Sequence, residues 1–157
     1  MIRPIQPGDN AALAIIVRNA LKEFDANKPG TVYYDDTTDR LFELFQQEKA
    51  AYMVAVEDGK ILGGAGIYPT NNLPADTCEL VKMYLSPAAR GKGIARQLME
   101  RCFIIAKEND FEKLYIETMP ELAIAVKMYE KFGFNYLKHP LGNSGHTGCN
   151  IWMLKEL

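Results

Sequence analysis

The chain has 157 residues, a formal net charge of −2, 48% hydrophobic residues and 24% charged residues. That length suits one domain, 1–157, with a core of its own, and the slight acidity excludes the basic excess of a nucleic-acid binder. No run approaches the roughly 18 apolar residues of a membrane helix, and the N-terminus lacks a signal-like apolar stretch, so a cytoplasmic location with no membrane partner is expected. The three cysteines, Cys78, Cys102 and Cys149, are too sparse for a disulfide framework. His146 and Cys149 have metal-like spacing but no second ligand pair, and no metal is expected.

In chain order, Ile2 to Ile5 reads as a short strand, placed at a sheet edge by Pro4. Asp9 suits a helix N-cap. Leu13, Ile16, Val17, Ala20, Leu21 and Phe24 then recur at helical spacing. A loop with Tyr33, Tyr34, Asp35 and Asp36 precedes a second helix predicted from about Thr38 to Gln47. Two strands follow, Ala51 to Val56 and Ile61 to Tyr68, around the Asp58-Gly59 turn of a hairpin. Gly63, Gly64 and Gly66 mark a bulge or a close approach by another group in the second of these strands.

Cys78 to Leu85 reads as a buried strand that leads through a glycine-containing turn into a helix starting near Gly93. That helix buries Ile94, Leu98, Cys102 and Ile105. A helix N-terminus after such a turn aims backbone N–H groups and a positive dipole end at one place, which makes an anion site. Arg90 and Lys92 add cationic side chains there. Lys113 to Thr118 is a further strand. A helix opening at Met119-Pro120-Glu121 places Leu122, Ala125, Val126 and Tyr129 on one face and stops at Gly133. Two closing strands, Phe134 to Leu137 and Asn150 to Leu154, flank a loop containing His139 and His146. The order β-α-α-β-β-β-α-β-α-β-β predicts an α/β (α+β) fold: a mixed sheet with helices on both faces.

The anion loop does not fit a Walker loop, because Lys92 is followed by Gly93 and not by a hydroxyl residue. It also lacks the third glycine of a dinucleotide fingerprint. Arg90-Gly91-Lys92-Gly93-Ile94-Ala95 matches Gln/Arg-x-x-Gly-x-Gly/Ala, and so resembles the pyrophosphate loop of the GNAT superfamily of N-acetyltransferases. Glu79 to Pro87 resembles that family's fourth strand and its exit. Ala125-Val-Lys-Met-Tyr129-Glu-Lys-Phe-Gly133-Phe134 resembles its Ala-x-x-Leu-Tyr-Glu-Lys-x-Gly-Phe segment.

The resemblance implies a mostly antiparallel sheet of six to seven strands, splayed between strands 4 and 5. It implies transfer of acetyl from acetyl-CoA to a primary amine by direct attack, with a catalytically silent CoA-binding sensor as the alternative. Backbone groups of Met83, Tyr84 and Leu85 would align pantetheine. Gly91, Lys92, Gly93, Ile94 and Ala95 would hold the pyrophosphate, with Arg90 beside them. Tyr129 would protonate the leaving thiolate, or else serve as a core tyrosine.

For the base, strict strand alternation puts Glu79 on one face with Val81, Met83 and Leu85, where desolvation would raise its pKa. Some relatives use a glutamate eleven residues before the arginine, as Glu79 stands to Arg90. Others deprotonate through ordered water, and Glu117 is the reserve. Relatives also carry an asparagine after the fifth strand. Thr118-Met119-Pro120-Glu121 has none. The acceptor, a small-molecule or peptide amine, would meet walls formed by Phe24, Tyr33, Tyr34, Tyr68 and His146, with Asp35 and Asp36 receiving its charge. A homodimer through the last strands is compatible with the resemblance.

Overall fold

The structure is a computed structural model describing residues 1–157. Its strands are β1 (Ile2–Pro4), β2 (Ala51–Glu57), β3 (Lys60–Tyr68), β4 (Thr77–Leu85), β5 (Lys113–Thr118), β6 (Asn135–Leu137) and β7 (Ile151–Glu156). Its helices are α1 (Asn10–Glu23), α2 (Leu41–Leu44), α3 (Ile94–Glu108) and α4 (Ala123–Lys131). The order is the one expected. The strands form one seven-stranded sheet, β1-β2-β3-β4-β5-β7-β6, antiparallel throughout except for the β4–β5 pair. No helix is long and apolar enough to cross a membrane.

Helices cover both faces. On one side α3 and α4 bury Leu98, Met99, Cys102 and Tyr129 against Ile67, Leu80, Leu114 and Ile116. On the other, α1 and the segments after it bury Leu13, Val17, Leu21 and Leu41, with Phe45 and Tyr52 among them. The hairpin turn has positive φ at both Asp58 and Gly59, as a tight two-residue connection requires.

Two local expectations are corrected. The second helix is a single turn, Leu41–Leu44, preceded by a 3₁₀ turn over Asp36–Asp39. The Asp35 carboxylate accepts the N–H and hydroxyl of Thr37 at 2.9 and 2.7 Å, which fixes a turn where the helix would begin. Asp9 precedes α1, but its carboxylate does not cap the helix. It takes Arg3 at 2.7 Å and the Gln6 N–H at 2.8 Å instead.

The glycines of β3 have a steric cause. Tyr52 of β2 lies across them, and a Cβ on Gly64 would stand 2.4 Å from its ring. A Cβ on Gly66 would meet the same ring at 2.7 Å and Phe45 at 2.8 Å. The tyrosine thereby crosses β3 and donates its buried hydroxyl to the Lys82 carbonyl of β4 at 2.8 Å.

Gly64→Ala is expected to destabilise the fold by about 1–3 kcal/mol through overpacking. Tyr52→Phe is expected to cost about 1 kcal/mol through the lost bond to a buried carbonyl. Urea unfolding checks both as a lowered midpoint at constant slope; a wild-type midpoint in either variant would remove that contact from the account.

Candidate active site

The site is a fork in the sheet. β4 and β5 pair only at Thr77, Cys78 and Glu79 with Lys113, Leu114 and Tyr115. Beyond Glu79 the strands separate. The cause lies in β4, where register against β3 jumps between Gly64 and Gly66 and Lys82 adopts φ +51°. This is a β-bulge, which bends and twists the strand that carries it. A cavity of about 420 Å³ fills the fork, bounded by both strands, the start of α3 and the inner side of α4.

The bulge corrects the expected alternation of β4. Leu80, Met83 and Leu85 pack with the α3-side core, whereas Val81 and Tyr84 pack with the clusters on the α1 side. Glu79 therefore does not share a face with Met83 and Leu85. One inserted residue reverses which way every later side chain points. It also turns the buried Lys82 into the same cavity as Glu79.

At one end of the cavity, Gly91 and Gly93 take φ of +74° and +71°, the left-handed region open to glycine. The turn they make leaves the N–H groups of Gly91, Lys92, Gly93, Ile94 and Ala95 without a protein acceptor. They stand at the start of the 15-residue helix α3, whose dipole adds to their pull on an anion. Arg90 reaches both carboxylate oxygens of Glu23 at 2.5 Å and lies over the Phe24 ring. Lys92 pairs with Glu57 outside the cavity.

Midway, Tyr129 of α4 is buried against Phe134 and lines the cavity. Burial raises its pKa, so the phenol stays protonated at neutral pH. Thr118, at the end of β5, also lines the cavity and has a buried hydroxyl with no partner.

At the other end Glu79 is buried and accepts a hydrogen bond from Thr70 at 2.8 Å. Desolvation pushes its carboxyl up to about 7; the charge of Glu117 acts in the same direction and the Thr70 bond against it. Glu117 is held by the hydroxyls of Ser144 and, at 3.0 Å, Tyr115. Ligand-type atoms of Glu79, Glu117 and His146 lie within 4.8 Å of one another, so they converge on a space fit for one small cation. His146 Nε2 meets Asp35 at 3.1 Å, and Asp35 also pairs with Lys82 at 3.4 Å. The His146 bond, with help from Lys82, holds the Asp35 carboxyl far below the usual range. Burial lowers the Lys82 pKa, against the opposing pull of Asp35.

The structure gathers Glu79, Met83, Tyr84, Leu85, Arg90, Gly91, Gly93, Ile94, Ala95, Tyr129 and His146 around one cavity. Phe24 lines it too, but at the anion end beneath Arg90. Tyr34 is exposed, Tyr33 lies beside Lys22, and Tyr68 packs on Phe45. None of those three lines the cavity. Sequence reading missed Lys82, Thr70 and Ser144. A lysine inside a strand of buried residues was the available signal for the first; the other two are loop residues without one.

A model of the Acetyltransferase (GNAT) family matches residues 18–134. The uncharacterized N-acetyltransferase YjgM of Escherichia coli is 38% identical over 159 aligned positions, covering 100% of this chain and 95% of that one. A crystal structure of a GNAT-family acetyltransferase from Staphylococcus aureus superposes with TM-score 0.85 at 19% identity, covering 99% of this chain and 98% of that one. The yncA protein of Salmonella typhimurium, solved with its cofactor acetyl-CoA, superposes with TM-score 0.75 at 19% identity, covering 99% and 92% of the two chains. The forked sheet, the free N–H groups of α3 and these matches lead to one conclusion: the chain belongs to the GNAT family and is an N-acetyltransferase.

Proposed function

We propose that the protein moves an acetyl group from acetyl-CoA to a primary amine by direct attack within a ternary complex. The observation that carries this reading is the single cavity joining an anion cradle at α3 to a buried carboxyl of pKa about 7. The residues present fit CoA. The unpartnered N–H groups of Gly91 to Ala95 suit its pyrophosphate. The backbone of β4 beyond Glu79, left without a β5 neighbour, suits the amides of pantetheine. Thr118, whose hydroxyl is buried without a partner at the end of β5, just before the place where many relatives carry an asparagine, supplies a polar contact there.

When bound, acetyl-CoA supplies the thioester carbon that the amine attacks. Glu79 takes the proton that the acceptor ammonium must lose before its nitrogen is a nucleophile. A backbone N–H near Met83 or Tyr84 faces the developing oxyanion. Tyr129 gives its proton to sulfur as the C–S bond breaks, yielding an amide and free CoA. A Glu79 carboxyl near 7 is ionised for about half of the protein at neutral pH, so a usable base is present there.

The primary test is CoA release from acetyl-CoA against a panel of amines. Binding of CoA without amine-dependent release would favour the sensor reading. Tyr129→Phe is expected to lower kcat by about 100-fold while calorimetry shows CoA affinity held. An unchanged kcat would remove Tyr129 as the acid.

Because Glu79 must be deprotonated to act, wild-type kcat/KM is expected to rise with pH through about 7. Glu79→Gln is expected to flatten that limb and lower the plateau by about 100-fold. A variant retaining the same limb would assign the titration to another group.

A further inference from the structure

Two buried, oppositely charged side chains face the acceptor end of the cavity with most of their hydrogen-bonding capacity unspent. The Lys82 ammonium has three N–H donors, and its side chain is only 3% exposed. Its one protein acceptor is Asp35 Oδ2, at a long 3.4 Å. Glu79, 3% exposed, receives Thr70 on one oxygen and no protein donor on the other. Buried polar groups are normally satisfied, and charged ones left short are especially costly. Both residues line the same cavity. A molecule that completes them brings a cationic donor toward Glu79 and an anionic acceptor toward Lys82.

The surroundings favour a small acceptor. The β6–β7 connection crosses this end and is fastened to three parts of the fold. The Leu141 N–H bonds the Tyr115 hydroxyl at 3.0 Å, the Asn143 N–H bonds the Asn71 carbonyl at 2.7 Å, and the Gly148 N–H bonds the Gly30 carbonyl at 2.8 Å. His146 closes on Asp35 beneath it. A lysine or N-terminus on a folded protein would need an open groove for the chain around it. A polyamine would bring a second positive charge toward Lys82, which repels it.

We infer that the acceptor is a free amino acid, its ammonium held between Glu79 and Glu117 and its carboxylate by Lys82. This rests on the proposed acetyl transfer and narrows its substrate. The ammonium and carboxylate of an amino acid sit close together on one small molecule, and Glu79 and Lys82 line one cavity where each feels the other's charge. His146 lies near both carboxylates and holds Asp35 through Nε2, so it borders the same contact.

The test compares wild-type initial rates for a set of free amino acids, the amides of the same amino acids, their decarboxylated amines, spermidine, and a tripeptide with a free N-terminus. At least one free amino acid is expected to exceed its own amide by about 10- to 100-fold in kcat/KM, the usual worth of a hydrogen bond to a charged group. The chain is otherwise intact in this comparison, so misfolding cannot mimic the result. In Lys82→Met, that preference for acid over amide is expected to fall toward unity, with the loss in KM. Amides, decarboxylated amines or spermidine used as well as the free acids would overturn this inference and leave acetyl transfer standing. So would a Lys82→Met variant that loses kcat equally with every acceptor, since Lys82 would then act at the thioester. No CoA release with any acceptor, in protein that binds CoA, would overturn both.

Discussion

The hydrogen bond from Tyr52 to the Lys82 carbonyl is the constraint on which the site depends. It holds a bulge in the middle of a buried strand, where a regular ladder would otherwise form. A glycine floor in β3 lets the tyrosine lie flat across that strand and reach the next one. The bulge bends β4 away from β5, and the resulting fork is the cavity. The same inserted residue sends Lys82 into that cavity. One contact, made possible by residues on three strands, therefore sets the shape of the site and part of its charge.

That charge is arranged in two adjoining groups of different character. Asp35, His146 and Lys82 form a compact set in which the carboxylate is firmly ionised. Glu79 and Glu117 form the other, and the charge of Glu117 adds to desolvation in raising the Glu79 carboxyl. Asp35 can hold a fixed charge while Glu79 changes protonation near neutral pH.

The sequence made the element order, the hairpin, α3 and its anion loop legible, because each rests on local rules of helical spacing, paired positive-φ turn residues and glycine placement. Tyr129 and the β4 segment were found through resemblance to known motifs. The bulge at Lys82 was not legible. Alternation assumes one residue per rung, and the insertion is specified by Tyr52, 30 residues away. The second helix was read as longer than its single turn because the Asp35 side chain competes with the helix backbone where that helix would begin. Aromatic residues around Tyr33 and Tyr68 read as acceptor walls by composition, yet tertiary packing turns them elsewhere. Glu79 was read correctly as buried and on the same face as Val81, but Met83 and Leu85, beyond the bulge, were misplaced on that face.

The three-residue pairing between β4 and β5 also has a mechanical consequence. The sheet is two ladders, β1–β4 and β5–β7, joined along a short seam at Thr77–Glu79 and Lys113–Tyr115. Rungs next to an unpaired stretch are the first to open in local fluctuations. Any molecule lying along the open side of β4 extends that seam and binds both ladders together. Occupancy of the fork is thus coupled to cohesion of the sheet, and saturating it deepens the native well by the mass-action amount set by ligand concentration over its dissociation constant. The fork is in this sense an unfinished part of the sheet.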